Sequence, residues 1–436
     1  MKIAVVGAGW AGLAAAVRAR QAGHAVTVFE AAPMPGGRAR SDDAGAAAAD
    51  NGQHILLGGY AATLALMRSV GVDVERALLR LPLSMTYADG AGFALPARGP
   101  RLLAGAWALL RARGFTARDK LSVVALAAAW QLRRFRCPPG LSVDELLRLA
   151  PTARVKHRLI EPLCVAALNT PAASASAAVF LAVMRDSLFG ARGASDLLLP
   201  QRPLAQLLPL PALQWLRGHG VDVHLRCRVS ALERLAQGWR LRVGGDAPSR
   251  PGADGAAFEQ VILATPATAA ARLTAPLAPA WSACAAALEH EPIVTLTLEA
   301  PPRAWPAPML ALDSDADARP AQFAFKLGPQ DGRVDRVTLV ASAAGAWLAR
   351  GSDALAAAAV AQYRQAFAIA PDEAVDCVGV RADKRATFRC SAGIVRPAAR
   401  IAPGLFAAGD YVDGPYPATL EAAVLAGEAA AAALDR

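Results

Sequence analysis

Blocks of apolar residues separated by turn residues recur along the chain. Residues 2–6 (KIAVV) form a short apolar run, a glycine-containing turn follows, and an alanine-rich stretch leads to a second run, AVTVF, which ends before Glu30. Short apolar runs bounded by turn residues predict buried strands, and a longer apolar stretch predicts a helix. The first 30 residues therefore predict a strand, a turn, a helix and a second strand.

Further apolar runs predict strands in the middle and near the end of the chain. Residues 220–234 (GVDVHLRCRVSALER) predict a pair of strands, and QVIL at 260–263 predicts a buried strand. LFAA at 405–408 predicts another, followed by a proline-rich loop and a helix that begins near Thr419. EPIVTLTLEA and DRVTLVASA predict the sheet under a substrate pocket, and GGDAPSRPGADG at 244–255 predicts a hairpin tip.

Two apolar segments are candidates for contact with a membrane. Residues 162–184 lack charge and are long enough to cross a bilayer, but five residues interrupt their middle: Asn169, Thr170, Pro171, Ser174 and Ser176. Residues 121–132 are too short to cross and predict a buried or lipid-facing helix. No transmembrane helix is predicted, and the helices around residues 100–190 are expected to form a lid and a membrane-facing surface.

Composition narrows the class of protein. The chain has 436 residues, 54% hydrophobic and 19% charged, which predicts two or three domains with large cores. The net charge of +10 comes from dispersed arginines, so no nucleic-acid partner is predicted; this charge suits anionic lipid or metabolites, or serves only solubility. Six cysteines without a C-x-x-C pair predict neither a metal site nor a disulfide framework. The chain enters a strand at once, which predicts a cytoplasmic protein, and the membrane-facing helices predict that it is peripheral at the inner face of the membrane.

The first turn carries the spacing of a dinucleotide-binding loop. Gly7, Gly9 and Gly12 follow the pattern G-x-G-x-x-G, in which the glycines allow a tight turn, a close approach of backbone amides to a pyrophosphate, and close packing of helix on strand. Glu30 lies at the position of the acid that binds a ribose. The contacts predicted for this end of the chain are Gly7, Ala8, Gly9, Trp10, Ala11, Gly12, Glu30 and Ala31.

Two further segments indicate which dinucleotide is bound. PMPGGRARS follows Glu30, and its Gly36, Gly37 and Arg38 can meet a phosphate or a flavin edge. Near the other end, Asp410 after Gly409 would reach the ribityl or phosphate region. The helix that starts with Thr419 and Leu420 would favour negative charge on a reduced flavin. No second G-x-G-x-x-G occurs in the sequence, so an external electron donor, unidentified, is expected.

Together these motifs resemble the FAD-binding halves of the amine oxidase and phytoene desaturase superfamily. The resemblance implies an α/β fold: a Rossmann-like FAD-binding domain of the glutathione-reductase type and a discontinuous substrate domain of mixed sheets and helices, as in amine oxidases. The FAD-binding domain is predicted over residues 1–60, 197–285 and 391–436, and the substrate domain with its helical lid over 61–196 and 286–390. Val229 would lie along the adenine, and Gly52, Gln53, His54 and Ile55 would pass beside the isoalloxazine ring.

Three segments resemble a narrower family, the squalene-associated hydroxysqualene dehydroxylases of hopanoid-producing bacteria. They are DNGQHILLGGY, EPLCVAALNTPAASASAAVFLAVMRDSLF and ASDLLLPQRPLAQLLPLPALQWL, and the likeness runs from Met1 to Arg436. This resemblance implies a long apolar isoprenoid substrate and the conversion of hydroxysqualene into squalene by reduced FAD. The apolar middle of the chain suits a polyene tunnel, but packing of an ordinary core explains the same residues.

The reaction implied by this resemblance needs a proton donor and a dry, cation-stabilising pocket. An allylic hydroxyl would be protonated, water would leave, and the cation would accept hydride from the flavin. His54 and Tyr416 are the candidate donors, although His54 could equally bond only backbone carbonyls. Four aromatics either stabilise the cation or belong to the core: Phe180, Phe189, Phe323 and Phe325.

Other functions stay open on the sequence alone. A polyene desaturase or isomerase would use the same fold, and an amine oxidase would place a lysine, for which Lys326 is the candidate, near the flavin. A surface lysine is the simpler interpretation of Lys326. A prenyl-binding protein would have the architecture without flavin chemistry, which the intact glycine motif, Arg38 and Asp410 oppose.

Overall fold

The computed structural model describes residues 1–43, 50–96, 101–148, 151–244, 255–330 and 334–434. Except for Gly244 and Gly255, the predicted hairpin tip at 244–255 lies outside these residues. The α-helices are α1 Trp10–Gln21, α2 Ala61–Ser69, α3 Val74–Ala77, α4 Arg101–Arg111, α5 Ala117–Leu132, α6 Val143–Leu146, α7 Ala153–Val155, α8 Glu161–Leu168, α9 Ala177–Ser187, α10 Leu204–Leu207, α11 Pro209–Gly218, α12 Ala267–Thr274, α13 Pro279–Ala286, α14 Gly345–Ala349, α15 Ser352–Ala366 and α16 Leu420–Ala432. A π-helical turn, Lys156–Ile160, lies between α7 and α8.

The β-strands are β1 Lys2–Val6, β2 Ala25–Phe29, β3 Leu56–Leu57, β4 Leu78–Leu81, β5 Ser84–Thr86, β6 Gly92–Ala94, β7 Leu197–Pro200, β8 Asp222–His224, β9 Arg228–Arg234, β10 Trp239–Gly244, β11 Ala257–Phe258, β12 Gln260–Leu263, β13 His290–Ala300, β14 Met309–Ala311, β15 Phe323–Gln330, β16 Val334–Ser342, β17 Asp376–Phe388, β18 Arg400–Ala402 and β19 Leu405–Ala407.

The chain divides into two compact units, each made of separated segments. The first unit contains residues 1–80, 198–288 and 395–436, and the second contains residues 81–197 and 289–394. The first border lies at residue 80, whereas the sequence predicts it at residue 60; the other borders differ from the predicted ones by one to four residues. The assignment of the units to FAD and to substrate stays a prediction.

A six-stranded sheet forms the centre of the first unit. Its order is β18-β19-β12-β1-β2-β8, and all neighbours are parallel except β18 and β19. Because parallel strands end at one edge, Val6, Phe29 and Leu263 bring the loops that follow them together. The strands predicted within 220–234 do form, but not as a pair: β8 joins this sheet, whereas β9 pairs with β10 in a separate sheet, because the turn at Arg226 has a left-handed backbone (φ 55°).

Two alanine-rich helices pack closely in the first unit. Ala11 of α1 lies so near α16 that a Cβ on Gly427 would overlap the Ala11 carbonyl oxygen. The middle of α1, from Leu13 to Val17, is buried on all sides. Small side chains on both helices therefore allow their backbones to approach, and this packing fixes α1 directly after the turn that follows β1.

The second unit is built on a five-stranded antiparallel sheet, β14-β15-β16-β13-β17. β13 and β16, the two strands predicted by their alternating sequences, are neighbours along Ile293–Ala300 and Asp335–Ser342. Helix α15 packs on this sheet with Leu355, Ala359 and Tyr363 in the core. Whether this sheet floors a substrate pocket stays a prediction.

The segment 162–184 is broken in the second unit, as its polar residues predict. Helix α8 ends at Leu168 because Asn169 adopts a left-handed backbone (φ 46°), and α9 begins only at Ala177. The Asn169 side chain donates to Thr387 Oγ1 (2.9 Å) and accepts from the Ala343 amide (2.7 Å). Within the described residues, no helix combines the length and apolarity needed to span a membrane.

Candidate FAD site

The turn between β1 and α1 has no room for side chains at two of its glycines. Gly7 has φ 108°, and a Cβ there would overlap the Ala264 carbonyl oxygen at the end of β12. A Cβ on Gly12 would overlap the Gly7 carbonyl oxygen. The first glycine therefore permits the turn and the third permits α1 to sit against it, as the spacing predicts.

The amino end of α1 is bare. Gly9 is its N-cap residue in an extended conformation (φ −72°, ψ 178°), and no side chain caps the helix. The amides of Trp10, Ala11 and Gly12 have no carbonyl partners within the helix because they belong to its first turn. Uncapped amides at the positive end of a helix suit a phosphate group.

The loop after β2 lies directly against this turn. The Gly36 amide donates to the Ala8 carbonyl (2.8 Å), and a Cβ on Gly37 would stand 3.2 Å from Gly9 Cα. Gly36 and Gly37 both have positive φ, 114° and 63°. The Trp10 indole donates to the Ala39 carbonyl (2.9 Å) and fixes the far end of the loop. The two glycine loops thus form one cradle of backbone.

Glu30 lies at the edge of this cradle. Its Oε2 accepts a hydrogen bond from the Ala8 amide (2.6 Å) and its Oε1 accepts one from the Ala32 amide (2.7 Å). Ala31, between them, belongs to the same turn. A carboxylate can accept about four hydrogen bonds, so two positions are left for ribose hydroxyls once these amides are bound.

Val229 is connected to Glu30 through the segment before it. The Cys227 amide donates to the Glu30 carbonyl (2.8 Å), and the Arg226 amide donates to the Ala32 carbonyl (3.1 Å). Val229 itself is 5% exposed and belongs to a core cluster with Phe29. Its contact with adenine stays a prediction.

Arg38 and Asp410 form an ion pair between residues 372 positions apart. Arg38 Nη2 lies 2.5 Å from Asp410 Oδ1, and the Asp410 side chain is 8% exposed while that of Arg38 is 38% exposed. The pair connects the G-G-R loop with the loop after β19. The predicted flavin residues from both chain ends therefore meet, which the motifs alone could only suggest.

Arg396 holds the loop that follows Asp410, and no sequence motif pointed to it. Its guanidinium donates to the carbonyls of Asp410 (2.7 Å), Val412 and Tyr416 (2.7 Å), and also to that of Gly414 (3.0 Å). One half-buried arginine thus binds several carbonyls of this turn, in addition to the hydrogen bond that the Val412 amide donates to the Gly409 carbonyl (3.1 Å). Its role depends on the path of the loop, which no local pattern of residues encodes.

The amino end of α16 meets that of α2. Thr419 caps α16, accepting from the Ala422 amide (3.1 Å), and Leu420 begins the helix. Glu421, 5% exposed, accepts from the Ala62 and Thr63 amides (both 2.9 Å) and so caps α2. Burial and the nearby Glu421 raise the pKa of the Tyr60 hydroxyl, which therefore remains a proton-bearing group at neutral pH.

His54 is anchored by its own loop. Its Nδ1 lies 2.8 Å from the Gly52 carbonyl oxygen, and Nε2 of the Gln53 side chain donates a long hydrogen bond to the His54 carbonyl (3.4 Å). A carbonyl can only accept, so Nδ1 is the donor and Nε2 is the acceptor of the neutral ring. A purely structural histidine would form this bond, and a catalytic histidine would use the same bond to orient its ring. The catalytic role of His54 therefore stays a prediction. Ile55 follows directly.

Two hydroxyl groups in this region are buried without a hydrogen-bond partner in the described part of the chain. They are Tyr411 Oη, next to Asp410, and Thr265 Oγ1, directly after Ala264. A Cβ on Gly409 would collide with the Tyr411 ring, so Gly409 allows this tyrosine to fold back. Burial and Asp410 raise the pKa of Tyr411, which keeps its hydroxyl a donor. Unpartnered donors beside a glycine cradle fit a polar ligand such as FAD.

Comparison with known proteins decides the family. Residues 10–435 match the family model of flavin-containing amine oxidoreductases. The chain belongs to this family. It is an FAD-dependent oxidoreductase with an α/β amine-oxidase-like fold, as the resemblance predicts, and its cofactor is FAD.

Curated relatives are similar in sequence to different lengths of this chain. The hydroxysqualene dehydroxylase of Zymomonas mobilis is 28% identical over 98% of this chain and 97% of its own length. That of Rhodopseudomonas palustris is 32% identical over 62% of each chain, so the match covers less than two thirds of that relative. The zeta-carotene desaturase of Zea mays is 32% identical over 32% of this chain and 25% of its own length. The suspected likeness to hydroxysqualene dehydroxylases is thus confirmed.

Solved structures show the same fold at low identity. An oxidoreductase from Methanosarcina mazei superposes with a TM-score of 0.75, at 16% identity over 98% of this chain and 99% of its own. Cyclohexylamine oxidase from Brevibacterium oxydans superposes with a TM-score of 0.72, at 18% identity over 99% of this chain and 98% of its own. The shared fold extends over residues of both units.

The lysine and aromatic candidates of the flavoenzyme lie in the second unit. Lys326 Nζ binds Asp335 (2.7 Å) and the Arg303 carbonyl (2.9 Å), so it is half-buried in an ion pair and not the surface lysine of the simpler interpretation. The four aromatic candidates all pack against other apolar residues. Phe180 packs edge-on against Trp130, and the Phe189 ring is tilted against the Phe135 ring. Phe323 and Phe325 are buried, at 8% and 4% exposure.

An open cleft of about 820 Å³ in the second unit is lined by charged residues, among them Lys156, Arg158, Asp313 and Asp315. Arg158 pairs with Asp313 (2.5 Å) and lies over the Tyr87 ring. Apolar residues such as Val165, Pro171 and Leu312 also line it, so the cleft is mixed in character, and the apolar tunnel for the substrate stays a prediction.

Proposed function

We propose that this flavoenzyme converts hydroxysqualene into squalene, for squalene and hopanoid biosynthesis. Reduced FAD and hydroxysqualene would give squalene, water and oxidised FAD: a carbon–oxygen bond breaks, a carbon–hydrogen bond forms, and two electrons leave the flavin. The observation that carries the proposal is the 28% identity to a hydroxysqualene dehydroxylase over nearly the full length of both chains. An external donor, not yet identified, must reduce the flavin again.

Reduced FAD, when bound, supplies the hydride equivalent. The chain itself would bind the diphosphate with the bare amino end of α1, bind the ribose with Glu30, and fix the region around the flavin with the Arg38–Asp410 pair. His54, with Nδ1 bound to Gly52, would donate from Nε2 as an imidazolium to the leaving hydroxyl, and Tyr416 is the second candidate donor.

Tyr416 lies close to the Tyr60 hydroxyl in the first unit. Arg396 binds the Tyr416 carbonyl (2.7 Å), and the Tyr416 side chain raises the pKa of the Tyr60 hydroxyl, although less than burial and Glu421 do. A carbocation would also need a dry surrounding with aromatic faces or carbonyl dipoles. The substrate in this proposal, hydroxysqualene, is a long apolar isoprenoid.

A polyene desaturase or isomerase is the second candidate function, because zeta-carotene desaturases share part of the sequence. Amine oxidation has less support: Lys326, the candidate flavin lysine, is neutralised by Asp335.

The decisive experiment is a single anaerobic turnover. The bound flavin is reduced, hydroxysqualene is added, and flavin reoxidation and squalene formation are followed in the same vessel, with free reduced FAD as the control. One squalene per flavin reoxidised is expected. A flavin that stays reduced with no squalene would refute the proposal, and the oxidised enzyme should then be tested on phytoene.

A further inference from the structure

Helix α5 in the second unit exposes a continuous apolar face. Its exposed apolar residues lie three and four positions apart along one side: Leu121, Val124, Ala125, Ala128 and Leu132. The exposed polar residue Gln131 lies at the edge of this face. Leu121 is 69% exposed, Val124 54% and Leu132 85%. The opposite side, with Leu126 and Trp130, packs into the unit. A helix that is apolar on its exposed side has a partner other than water.

Helix α4 adds to this face at the start of α5. Trp107 is 47% exposed and Leu110 is 69% exposed. The Lys120 ammonium donates to the Leu110 carbonyl (2.6 Å), which places the end of α4 beside the start of α5. The Arg111 guanidinium lies 4.2 Å from the centre of the Trp107 ring. Tryptophan stacked with arginine is typical of a side chain at the boundary between an apolar and a charged medium.

Basic residues surround the apolar stripe. Six arginines at the ends of α4 and α5 are exposed, and none forms an ion pair with a described acidic residue: Arg111, Arg113, Arg118, Arg133, Arg134 and Arg136. Asp119 is the sole acid in the sequence between residues 101 and 136, and it is 4% exposed. Its carboxylate is bound by Thr116 and Thr152 and so leaves the surface positive.

We propose that this α4–α5 surface, formed by the apolar residues Trp107, Leu110, Leu121, Val124 and Leu132 and the six arginines, docks onto an anionic lipid bilayer. The apolar stripe would enter the acyl boundary while the arginines meet lipid phosphates, which is the pattern of an interfacial helix. At about 1.5 Å per residue, the 16 residues of α5 give a contact on the order of 24 Å long. A second copy of this basic surface would oppose it with like charge, whereas anionic lipid complements it.

This inference goes beyond the proposed reaction and does not depend on it. The first test is sedimentation of the FAD-loaded protein with vesicles of phosphatidylcholine alone or mixed with phosphatidylglycerol. Binding to the mixed vesicles is expected to exceed binding to the neutral ones by at least tenfold, and to fall as salt is raised, because salt screens exposed charges. Equal binding to both, or none, would overturn the proposal.

Two variants locate the contact. Arg133→Gln with Arg134→Gln and Arg136→Gln should weaken binding to mixed vesicles on the order of a hundredfold, since each basic residue near an anionic surface contributes roughly fivefold. Leu121→Gln with Leu132→Gln should weaken it at least about tenfold, because exposed leucines lose their burial in the acyl region. Neither change touches the residues assigned to FAD.

Matched controls are available on other exposed surfaces. Arg202→Gln with Arg217→Gln and Arg272→Gln removes the same charge, and Val378→Gln with Val395→Gln removes exposed apolar side chains, 50% and 74% exposed. Both controls should bind vesicles like the unchanged protein. If they weaken binding as much as the α4–α5 variants, the specific surface is refuted. If the leucine variant instead converts a dimer into a monomer in sedimentation velocity without lipid, the occupant is a second copy and the lipid proposal fails.

Discussion

Arg38 and Arg396 hold the same loop by different atoms. Arg38 binds the Asp410 carboxylate (2.5 Å), whereas Arg396 binds the Asp410 carbonyl (2.7 Å) and four carbonyls beyond it, those of Tyr411, Val412, Gly414 and Tyr416. The carboxylate is 8% exposed, so its charge needs a partner. At the residue scale, the candidate FAD site is thus a set of backbone groups fixed by a few charged side chains.

Arg38→Gln is expected to raise the Kd for FAD on the order of tenfold to a hundredfold, because a charge-assisted hydrogen bond is lost and Asp410 loses its partner. Kd is measured by flavin fluorescence on the apoprotein. Arg68→Gln, which breaks an exposed pair with Glu75 in the same unit, is the control and should leave Kd unchanged. Unchanged FAD affinity in Arg38→Gln would remove the pair from the cofactor site.

His54→Ala is expected to lower turnover about 10²- to 10⁴-fold while FAD stays bound, because a positioned proton donor is removed. Turnover is measured as squalene formed from hydroxysqualene, and bound FAD is measured by its absorbance in the same samples. His219→Ala, on an exposed ring stacked against Trp215, is the control. A His54→Ala protein with full turnover would leave His54 a structural histidine.

At the scale of elements, close contacts between helices and capping decide where helices begin and how they pack. Gly427 brings α16 onto α1, Glu421 joins α16 to α2, and the Thr116–Asp119 capping box begins α5. Each contact depends on a particular side chain, or on its absence, at one position. Each is therefore sensitive to a single substitution.

Gly427→Ala should destabilise the fold by about 1–3 kcal/mol, because the new methyl group would overlap the Ala11 carbonyl oxygen and push α16 away from α1. The free energy of unfolding is measured with urea. Gly218→Ala, at the end of α11 with open space around it, should be neutral or stabilising by up to about 1 kcal/mol. Equal effects of the two substitutions would contradict the close packing.

The start of α5 should depend on pH through Asp119. Hydrogen bonds from Thr152 and Thr116 lower the pKa of this carboxylate below its usual value of 3.8. Its contribution to stability is therefore complete above about pH 4 and is lost as the pH falls through the lowered folded-state pKa. Asp119→Asn should cost about 1 kcal/mol at pH 7, and the difference from the unchanged protein should shrink below pH 4.

Thermal unfolding at pH 7 and at pH 3 to 4 checks this expectation, with Asp222→Asn, an exposed aspartate, as the control. A difference between Asp119→Asn and the unchanged protein that grows on acidification would show that the sign is wrong.

At the scale of the whole molecule, the residues assigned to FAD come from all three segments of the first unit: the loops at residues 7–60, Val229 in the middle segment, and the loop and helix after β19. A ligand that joins three segments should stabilise their assembly. Binding energy then appears directly as resistance to unfolding.

Titrating the apoprotein with FAD should therefore raise the midpoint of thermal unfolding, with a gain of about 2.7 kcal/mol at a hundred times Kd. Riboflavin, which lacks the diphosphate and adenosine, should give a much smaller shift because it leaves the α1 amides and Glu30 unused. Scanning calorimetry measures both. Equal shifts with riboflavin and FAD would exclude the glycine cradle as a phosphate site.

Local patterns predicted a large part of the first unit. The strand, turn, helix and strand of the first 30 residues follow from short-range rules: apolar periodicity, and glycines where φ is positive or a Cβ would overlap. The break at Asn169 and the start of α16 after Thr419 follow from equally local chemistry. By contrast, the pairing of β8 and β9 was wrong because apolar spacing does not identify a strand's partner.

The sequence by itself determined the FAD motif, the family resemblance and the breaks between elements, because each depends on residues close together in the chain. Only the tertiary structure decided that Arg396 holds the loop after Asp410, that Glu421 caps a helix 358 residues away, and which side of α5 is exposed. A helix that is apolar all around gives no local sign of its buried side. That choice depends on which surface the rest of the unit covers.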